Sequence, residues 1–458
     1  MLTRTLIPYD DPIRVFAAYR DEPYALLLHG AGRRWSYICL DPITIVEMGN
    51  AEGNDPLGEV EQSLKALEME RPSDAPPFCG GWAGLLSFEL GRSLLPKLLD
   101  GASRRNWPDI ALGLYDQVAV YDHDTRSAEV FVWDWGGRKN PSTLAEQLSS
   151  ASGPIAPWLL PLCVEAPCPR IPKPEYAAKI ARTVDYVHAG DCFQSNISQA
   201  FDFELASGAH PLHLTQRLDM TSAAPFSAYL RLNKLALASN SPERFLKVRP
   251  SIDGKLQVST KPIKGTRPRG KSPVEDKQLA DELLASEKDR AENLMIVDLM
   301  RNDLSRVSDP GSVKVPKLNA LESYANVHHL VSTVTSTLSS GFGLVDLLRA
   351  AFPGGSVTGA PKIRAIQIIS EMEEDVRGPY CGSLVWMTPD GFMDSSILIR
   401  STAFEETDDG WKGEFRVGGG IVADSTPEDE YQETLDKGRA LIRALTARMG
   451  ETERPDAD

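Results

Sequence analysis

An α+β fold is the expectation for this 458-residue chain, and three observations predict it. Short apolar runs in the first 160 residues are spaced like antiparallel pairs rather than strand–helix–strand units. Long stretches further on carry the 3.6-residue period of helices. Strand-like runs lie among those helices without the regular alternation of a parallel α/β protein.

In chain order, Tyr24 to His29, Gly113 to Tyr121 and Ala128 to Trp133 read as strands, the last two joined by the turn Asp122-His123-Asp124. Pro161 to Pro174 contains five prolines and reads as a linker. A helix follows over 175–189, then strands at 227–232 and 235–239 and a further strand, Lys255 to Thr260. Helices are expected over 273–286 and 289–304. The second is apolar almost all round (Leu294, Met295, Ile296, Val297, Leu299, Met300, Leu304) and is predicted to be buried. Another helix starts at Pro361, with Ile363, Ile366 and Ile369 on one face. Ile397 to Ala403 and Glu414 to Val417 read as strands. The last helix, 428–449, aligns Tyr431, Leu435, Ile442, Leu445 and Met449 and stops at Gly450. The division predicted is an N-terminal subdomain over 1–165, a catalytic region over 172–450 and an acidic tail over 451–458.

Composition narrows the function. With 42% hydrophobic and 25% charged residues the chain is an ordinary globular protein. A net charge of −15 argues against nucleic acid as a main partner and means that an anionic substrate needs a local cation. No run approaches the ~18 apolar residues of a membrane span, and Met1 to Leu6 lacks a signal-peptide core, so the expected location is cytoplasmic, away from membranes. Six cysteines without a C-x-x-C pair suggest reduced thiols. None lies in the G-x-C-x-G elbow of a glutaminase nucleophile.

The most informative stretch is Pro262-Ile263-Lys264-Gly265-Thr266, which leaves one amine at a strand-to-loop junction beside a glycine. Lys264 is a charge clamp, a nucleophile, or a solvated surface lysine. Gly265 to Ser272 also matches the phosphate-loop pattern G-x-x-x-x-G-K-[ST]. Pro268 removes one N–H from that cradle. Ser272-Pro273-Val274-Glu275 reads instead as the cap of the next helix.

Two carboxylate pairs stand out. Asp289 and Glu292, and again Glu430 and Glu433, lie three apart at helix starts, where the dipole helps to hold them ionised. Such oxygens suit Mg²⁺, although acidic first turns commonly serve the dipole alone. Lys437 falls one turn after Glu433. Gly418-Gly419-Gly420, read as following a strand, and Pro353 to Gly359 offer backbone N–H groups to an anion or are merely flexible turns. His328-His329 lacks metal-ligand spacing. Arg400 interrupts a strand of β-branched and apolar residues and needs a partner anion.

Taken together, Lys261 to Thr266, Asp289-Arg290-Ala291-Glu292-Asn293, Val297 to Asp303, Pro353 to Pro361 and Gly418 to Ser425 resemble the chorismate-utilising enzymes in order and spacing. The likeness is dense over residues 175–448 and looser through Gly80 to Gly84 and Gly113 to Asp116. Lysine at position 264, where anthranilate-forming members typically have alanine, points to the branch that makes 4-amino-4-deoxychorismate.

That resemblance implies two face-to-face antiparallel sheets with helices outside. It implies Lys264 as a nucleophile toward C2 of chorismate and Glu243 as proton donor to the departing C4 hydroxyl. His329 matches the family histidine, with Ser356 beside it. Asp289, Glu292, Glu430 and Glu433 would bind Mg²⁺. Tyr380, Arg400, Lys437 and Gly418, Gly419 and Gly420 match positions that hold substrate carboxylates, while Gly265 and Thr266 line the pocket. Gln194 stands where isochorismate- and salicylate-forming relatives carry a water-activating lysine, which disfavours hydration. Ammonia is expected from a separate glutamine amidotransferase subunit. Relatives' N-terminal halves hold a tryptophan-like ligand, and by that resemblance Ser36 and Tyr37 sit near the expected pocket, with its occupancy in this chain left open. The rivals are anthranilate synthesis, a pyridoxal-phosphate Schiff base on Lys264, a nucleotide switch at Gly265 to Ser272, and a binding module without catalysis.

Overall fold

Strands account for the architecture. In a computed structural model the described residues are 1–49, 55–95, 106–136, 143–150, 158–323, 327–373 and 375–448. Among these, strands form two antiparallel sheets, of 12 and 10 strands. In the first, Gln194–Glu204 pairs with Gly410–Ile421, and the order continues through Ser401–Thr407, Leu235–Ser241 and Phe226–Leu232 into strands from the first 133 residues. The second begins with Ile263–Pro268, Val327–Thr337, Leu256–Thr260 and Arg244–Pro250 and likewise runs into early strands, Gly81–Leu86, Ile110–Tyr115 and Thr44–Met48.

The sheets face each other. Leu26, Val118, Leu230 and Leu237 of the first share one buried cluster with Ala83, Leu85, Ala111 and Leu384 of the second. The other face of the first sheet, with Phe201, Phe203, Tyr229 and Phe415, packs against Leu212, Leu214 and Leu218 of one helix and Leu441, Ala444 and Leu445 of another. Period-2 alternation puts Phe201 and Phe203 on one face of their strand, and both join this core. Removing such side chains from water stabilises the sheet by about 1.5–3 kcal/mol each. The α+β expectation with helices outside face-to-face sheets therefore holds.

Two crossings connect the sheets where the site will be. The chain leaves the first sheet at Ser241, passes Glu243 and enters the second at Arg244. It returns from Ser396 through Arg400 to Ser401. The crossings are tied together: the Ile397 N–H donates to the Glu243 carbonyl at 3.0 Å, and the Ser241 hydroxyl to the Ile397 carbonyl at 2.5 Å.

Several sequence expectations change. Gly113 to Tyr121 is two strands, Ile110–Tyr115 and Gln117–Asp122, which belong to different sheets. The chain switches at the buried Asp116, whose carbonyl accepts from the Trp133 N–H at 2.8 Å. Ile397 to Arg400 is no strand, because Arg400 has φ +52° and ends the crossing. Gly418, Gly419 and Gly420 lie within a strand, opposite Ser198, Ile197 and Asn196. Lys264 is likewise inside a strand, not at its end. The helix Glu287–Ser305 buries one side only, with Leu294 47% exposed, since its apolar residues exceed the stripe its neighbours can cover. Ile363 is also partly exposed, although Ile366 and Ile369 are buried. The last helix, Pro427–Thr446, ends at Ala447. Met449, Gly450 and the 451–458 tail lie outside the described residues.

Candidate active site

Strand pairing assembles the first part of the site. Ile263–Pro268 pairs with Val327–Thr337 so that Lys264 faces Leu330 and Thr266 faces His329, with a register shift between them at Gly265. Gly265 takes φ +76°, and a Cβ there would meet the Asp289 carboxylate at 2.9 Å. Only glycine combines that dihedral with that approach. The Thr266 hydroxyl is 2.9 Å from His329 Nδ1. Burial, reinforced by the neighbouring Arg400 charge, holds the His329 pKa down at about 4, so the ring is neutral near pH 7.

Helix starts supply the acids. Ser286 caps its helix by accepting from the Asp289 N–H at 3.2 Å, and Thr426 caps the last helix through the Asp429 N–H, also at 3.2 Å. Lys264 Nζ stands 3.9 Å from Glu292 Oε2. Asp289 faces Arg267 at 3.4 Å. On the other helix the Ser425 hydroxyl donates to Glu430 at 2.6 Å, and Lys437 pairs with Glu433 at 2.5 Å while donating to the Gly418 carbonyl at 2.8 Å. Burial, with the Glu433 charge beside it, raises the Glu430 pKa. Burial would raise Glu433 as well, but Lys437 and, further away, Lys264 and Lys288 bring it below its usual value. Lys264 and Lys288 thus link the two acidic helix starts electrostatically.

A bare Gly419 lies under Glu430 and Glu433: a Cβ there would be 2.6 Å from Glu430 Oε2 and 3.4 Å from Glu433 Oε1. Among the described residues no three His, Cys, Asp or Glu side chains converge as a finished metal cage. The acids come instead as two pairs. Their all-oxygen donor set, with Glu430 buried and its pKa raised by burial and by Glu433, fits a hard divalent cation.

Glu243 sits on the first crossing and is buried, 5% exposed. Burial pushes its pKa up to about 7, against a hydrogen bond with the Ser356 hydroxyl, the Lys264 and Arg400 charges and the Ile263 N–H. A carboxyl with that pKa is a competent proton donor near neutrality. Arg400, on the return crossing, is drawn down by burial and held up by Glu243. Gln194 is fully buried, and neither side-chain amide atom has a hydrogen-bond partner. A Cβ on Gly420 would meet its Nε2 at 2.4 Å. The Gln194 amide therefore fills the space over Gly420.

The structure thus brings Lys264, Gly265, Thr266, His329, Glu243, Ser356, Arg400, Asp289 and Glu292 into one neighbourhood. Lys264 joins it to Glu433, and through that helix to Glu430, Lys437, Gly418 and Gly419. Tyr380 lies further back, its ring 5.5 Å from the Arg377 guanidinium. The phosphate-loop pattern is not a cradle. The Gly270 N–H is held by Asp276 at 2.9 Å and the Lys271 N–H by Glu275 at 2.7 Å, and Ser272 caps the next helix. In the N-terminal half Tyr37 lines a cavity with Arg33, Phe226 and Trp386, whereas the Ser36 hydroxyl turns to His29 and His123 at 2.7 Å each. Sequence reading missed Lys288, Ser425 and the buried pair Glu373–Arg377. The i,i+4 spacing of that last pair was the available signal.

Opposed sheets, a lysine strand and two acidic helix starts define a chorismate-utilising enzyme. Residues 22–443 match the model of the chorismate binding enzyme family, and the chain belongs to that family. Among characterised relatives, aminodeoxychorismate synthase component 1 of Klebsiella aerogenes is 39% identical over 452 residues, covering 94% of this chain and 95% of the relative. Anthranilate synthase component 1 of Thermus thermophilus is 37% identical over 430 residues, covering 91% and 88%. Among solved structures, anthranilate synthase component I of Streptococcus pneumoniae superposes with a TM-score of 0.78 at 27% identity, covering 91% and 94%. No helix among the described residues is long and apolar enough to cross a membrane.

Proposed function

We propose that this protein is the synthase component of a 4-amino-4-deoxychorismate synthase, which aminates chorismate at C4 on the route to 4-aminobenzoate and folate. The observation that carries the reading is Lys264, a strand lysine 3.9 Å from Glu292 and electrostatically coupled to Glu243 and Glu433. Identity of 39% to an aminodeoxychorismate synthase component supports it.

In the proposed chemistry the amine of Lys264 forms a bond to C2 of chorismate, both ring double bonds shift by one position, and the C4–oxygen bond breaks. Glu243 supplies the proton with which that oxygen leaves as water. Ammonia then bonds to C4, both double bonds shift back, the C2–nitrogen bond to Lys264 breaks, and a proton from the new C4 ammonium returns to Glu243, restoring the enzyme. Arg400, Lys437 and the backbone at Gly418 to Gly420 hold the substrate carboxylates, and His329 with Thr266 positions the ring. Asp289, Glu292, Glu430 and Glu433 are the residues that would hold Mg²⁺, which when bound neutralises a substrate carboxylate against the acidic helices. Gln194 cannot act as a base toward water, so hydration of the ring is not supported. Ammonia would come from a glutamine amidotransferase subunit, in keeping with the absence of a G-x-C-x-G elbow at any of the six cysteines. Cytoplasmic location belongs to the same reading.

Intact-mass spectrometry of protein incubated with chorismate and Mg²⁺ but no ammonia tests the covalent route. An adduct in the wild type that is absent from Lys264→Ala is the expected result. Unassisted turnover by that variant would show direct amination instead. Product analysis with ammonium separates the main rival, since anthranilate rather than aminodeoxychorismate would refute the assignment.

A further inference from the structure

Behind the site lies a second charged cluster that takes no part in the chemistry above. Glu373 and Arg377 are each 1% exposed in their side chains and joined at 2.6 and 2.9 Å, and Arg416, 4% exposed, reaches the same carboxylate at 3.2 Å. A buried ion pair is poor evidence of stability, because desolvating the charges offsets much of their attraction. Its value lies in what else the group holds.

Arg377 holds backbone. One guanidinium nitrogen donates to the Val357 carbonyl at 3.1 Å, another to the Asn196 carbonyl at 2.7 Å. Val357 is the neighbour of Ser356, whose hydroxyl is hydrogen-bonded to Glu243. Asn196 lies two residues along the strand from Gln194. Glu373 fixes the same strand from the other side, accepting from both the N–H and the hydroxyl of Ser198 at 2.8 and 2.9 Å. A planar fork with a fixed spread of donors can span both carbonyls while paired to a carboxylate, which a lysine ammonium cannot.

We infer that Arg377 is a positioning residue: it clamps the turn Gly355–Val357 to the strand Gln194–Glu204 and thereby aims the Ser356 hydroxyl at Glu243. The charged groups facing Glu243 are Lys264 from the lysine strand and Arg400 from the return crossing, and its uncharged hydrogen-bonding partners are the Ser356 hydroxyl and the Ile263 N–H. Loosening the turn would remove a bond that favours the ionised carboxylate and would raise the pH at which Glu243 titrates. In turnover this deepens the role proposed for Glu243 and rests on it. The geometry does not depend on the reaction.

The test therefore reads the carboxyl directly, by carbon NMR titration of glutamate-labelled enzyme, with Glu243→Gln to assign the signal. In Arg377→Lys the Glu243 midpoint should rise by about one unit. Ser356→Ala should give the same rise, and the double variant no more than either. With chorismate and ammonium, Arg377→Lys should lose about tenfold to a hundredfold in kcat at a nearly unchanged KM. An unchanged midpoint in folded Arg377→Lys, or additive shifts in the double variant, overturns the inference. If Arg377→Lys does not fold, Glu373→Gln, which slackens the same clamp, is judged by the same shift. Failure of the wild type to aminate chorismate would refute the proposed function and leave this titration to be judged on its own.

Discussion

Gly419 and Glu430 are in contact across the strand–helix interface, close enough that a methyl on the glycine would stand 2.6 Å from Glu430 Oε2. The atom displaced would be the tip of a flexible side chain. At Gly418, one residue earlier, the same methyl would meet the Ile197 carbonyl oxygen at 2.3 Å, a backbone atom that cannot turn aside. Gly419→Ala is therefore expected to keep its fold but weaken the apparent Mg²⁺ affinity about tenfold, read from activity against Mg²⁺ concentration. Gly418→Ala should instead lose about 1–3 kcal/mol in urea unfolding.

Glu243 gives a pH prediction in two parts. Its folded pKa of about 7 lies above the ordinary carboxyl value, so the folded state holds a proton that the unfolded state has released between roughly pH 4.5 and 7. Stability therefore falls as pH rises through that window, by about 3 kcal/mol. Glu243→Gln should be more stable than wild type at pH 8, with the difference vanishing below about pH 4.5, and should lose most activity at every pH. Equal unfolding midpoints at pH 8 would contradict the burial argument.

His329 carries the opposite sign. Its folded pKa of about 4 lies below the ordinary histidine value, so it contributes stability above roughly pH 6.5 that is lost as pH falls toward 4. Its ring signals in histidine-labelled protein should stay flat from pH 8 down to about 5.5, assigned with His329→Asn. A midpoint near 6.5 would place the ring in solvent.

Lys271→Ala should leave chorismate turnover unchanged within about twofold and create no defect in ATP binding, because the N–H groups of its loop are already held by Asp276 and Glu275. Calorimetry with Mg-ATP checks this. Saturable binding that the substitution abolishes would restore the nucleotide reading.

Local chemistry was legible in the sequence wherever a local rule decides the outcome. Ser272 caps its helix as the S-P-V-E pattern requires, and Asp289 and Glu430 fall in first helical turns with Glu292 and Glu433 three residues further on. What escaped depends on partners far along the chain. Gly113 to Tyr121 is interrupted only by Asp116 and Gln117, and two polar residues do not by themselves show that the flanking runs join different sheets. The glycine run resembled a turn because its purpose, letting Glu430 approach a strand, is visible only with the last helix in place. Leu294 looked like a core residue because a helix richer in apolar residues than its neighbours can cover leaves some of them outside. The roles assigned to Glu243 and Gln194 came from resemblance, since neither position is unusual in its local sequence.

The paired crossings at Glu243 and Arg400 have a mechanical consequence. Because one backbone hydrogen bond and one hydroxyl bridge join them, a shear of either layer drags donor and guanidinium along together. Their mutual spacing is thereby set by the backbone and not by the two side chains alone.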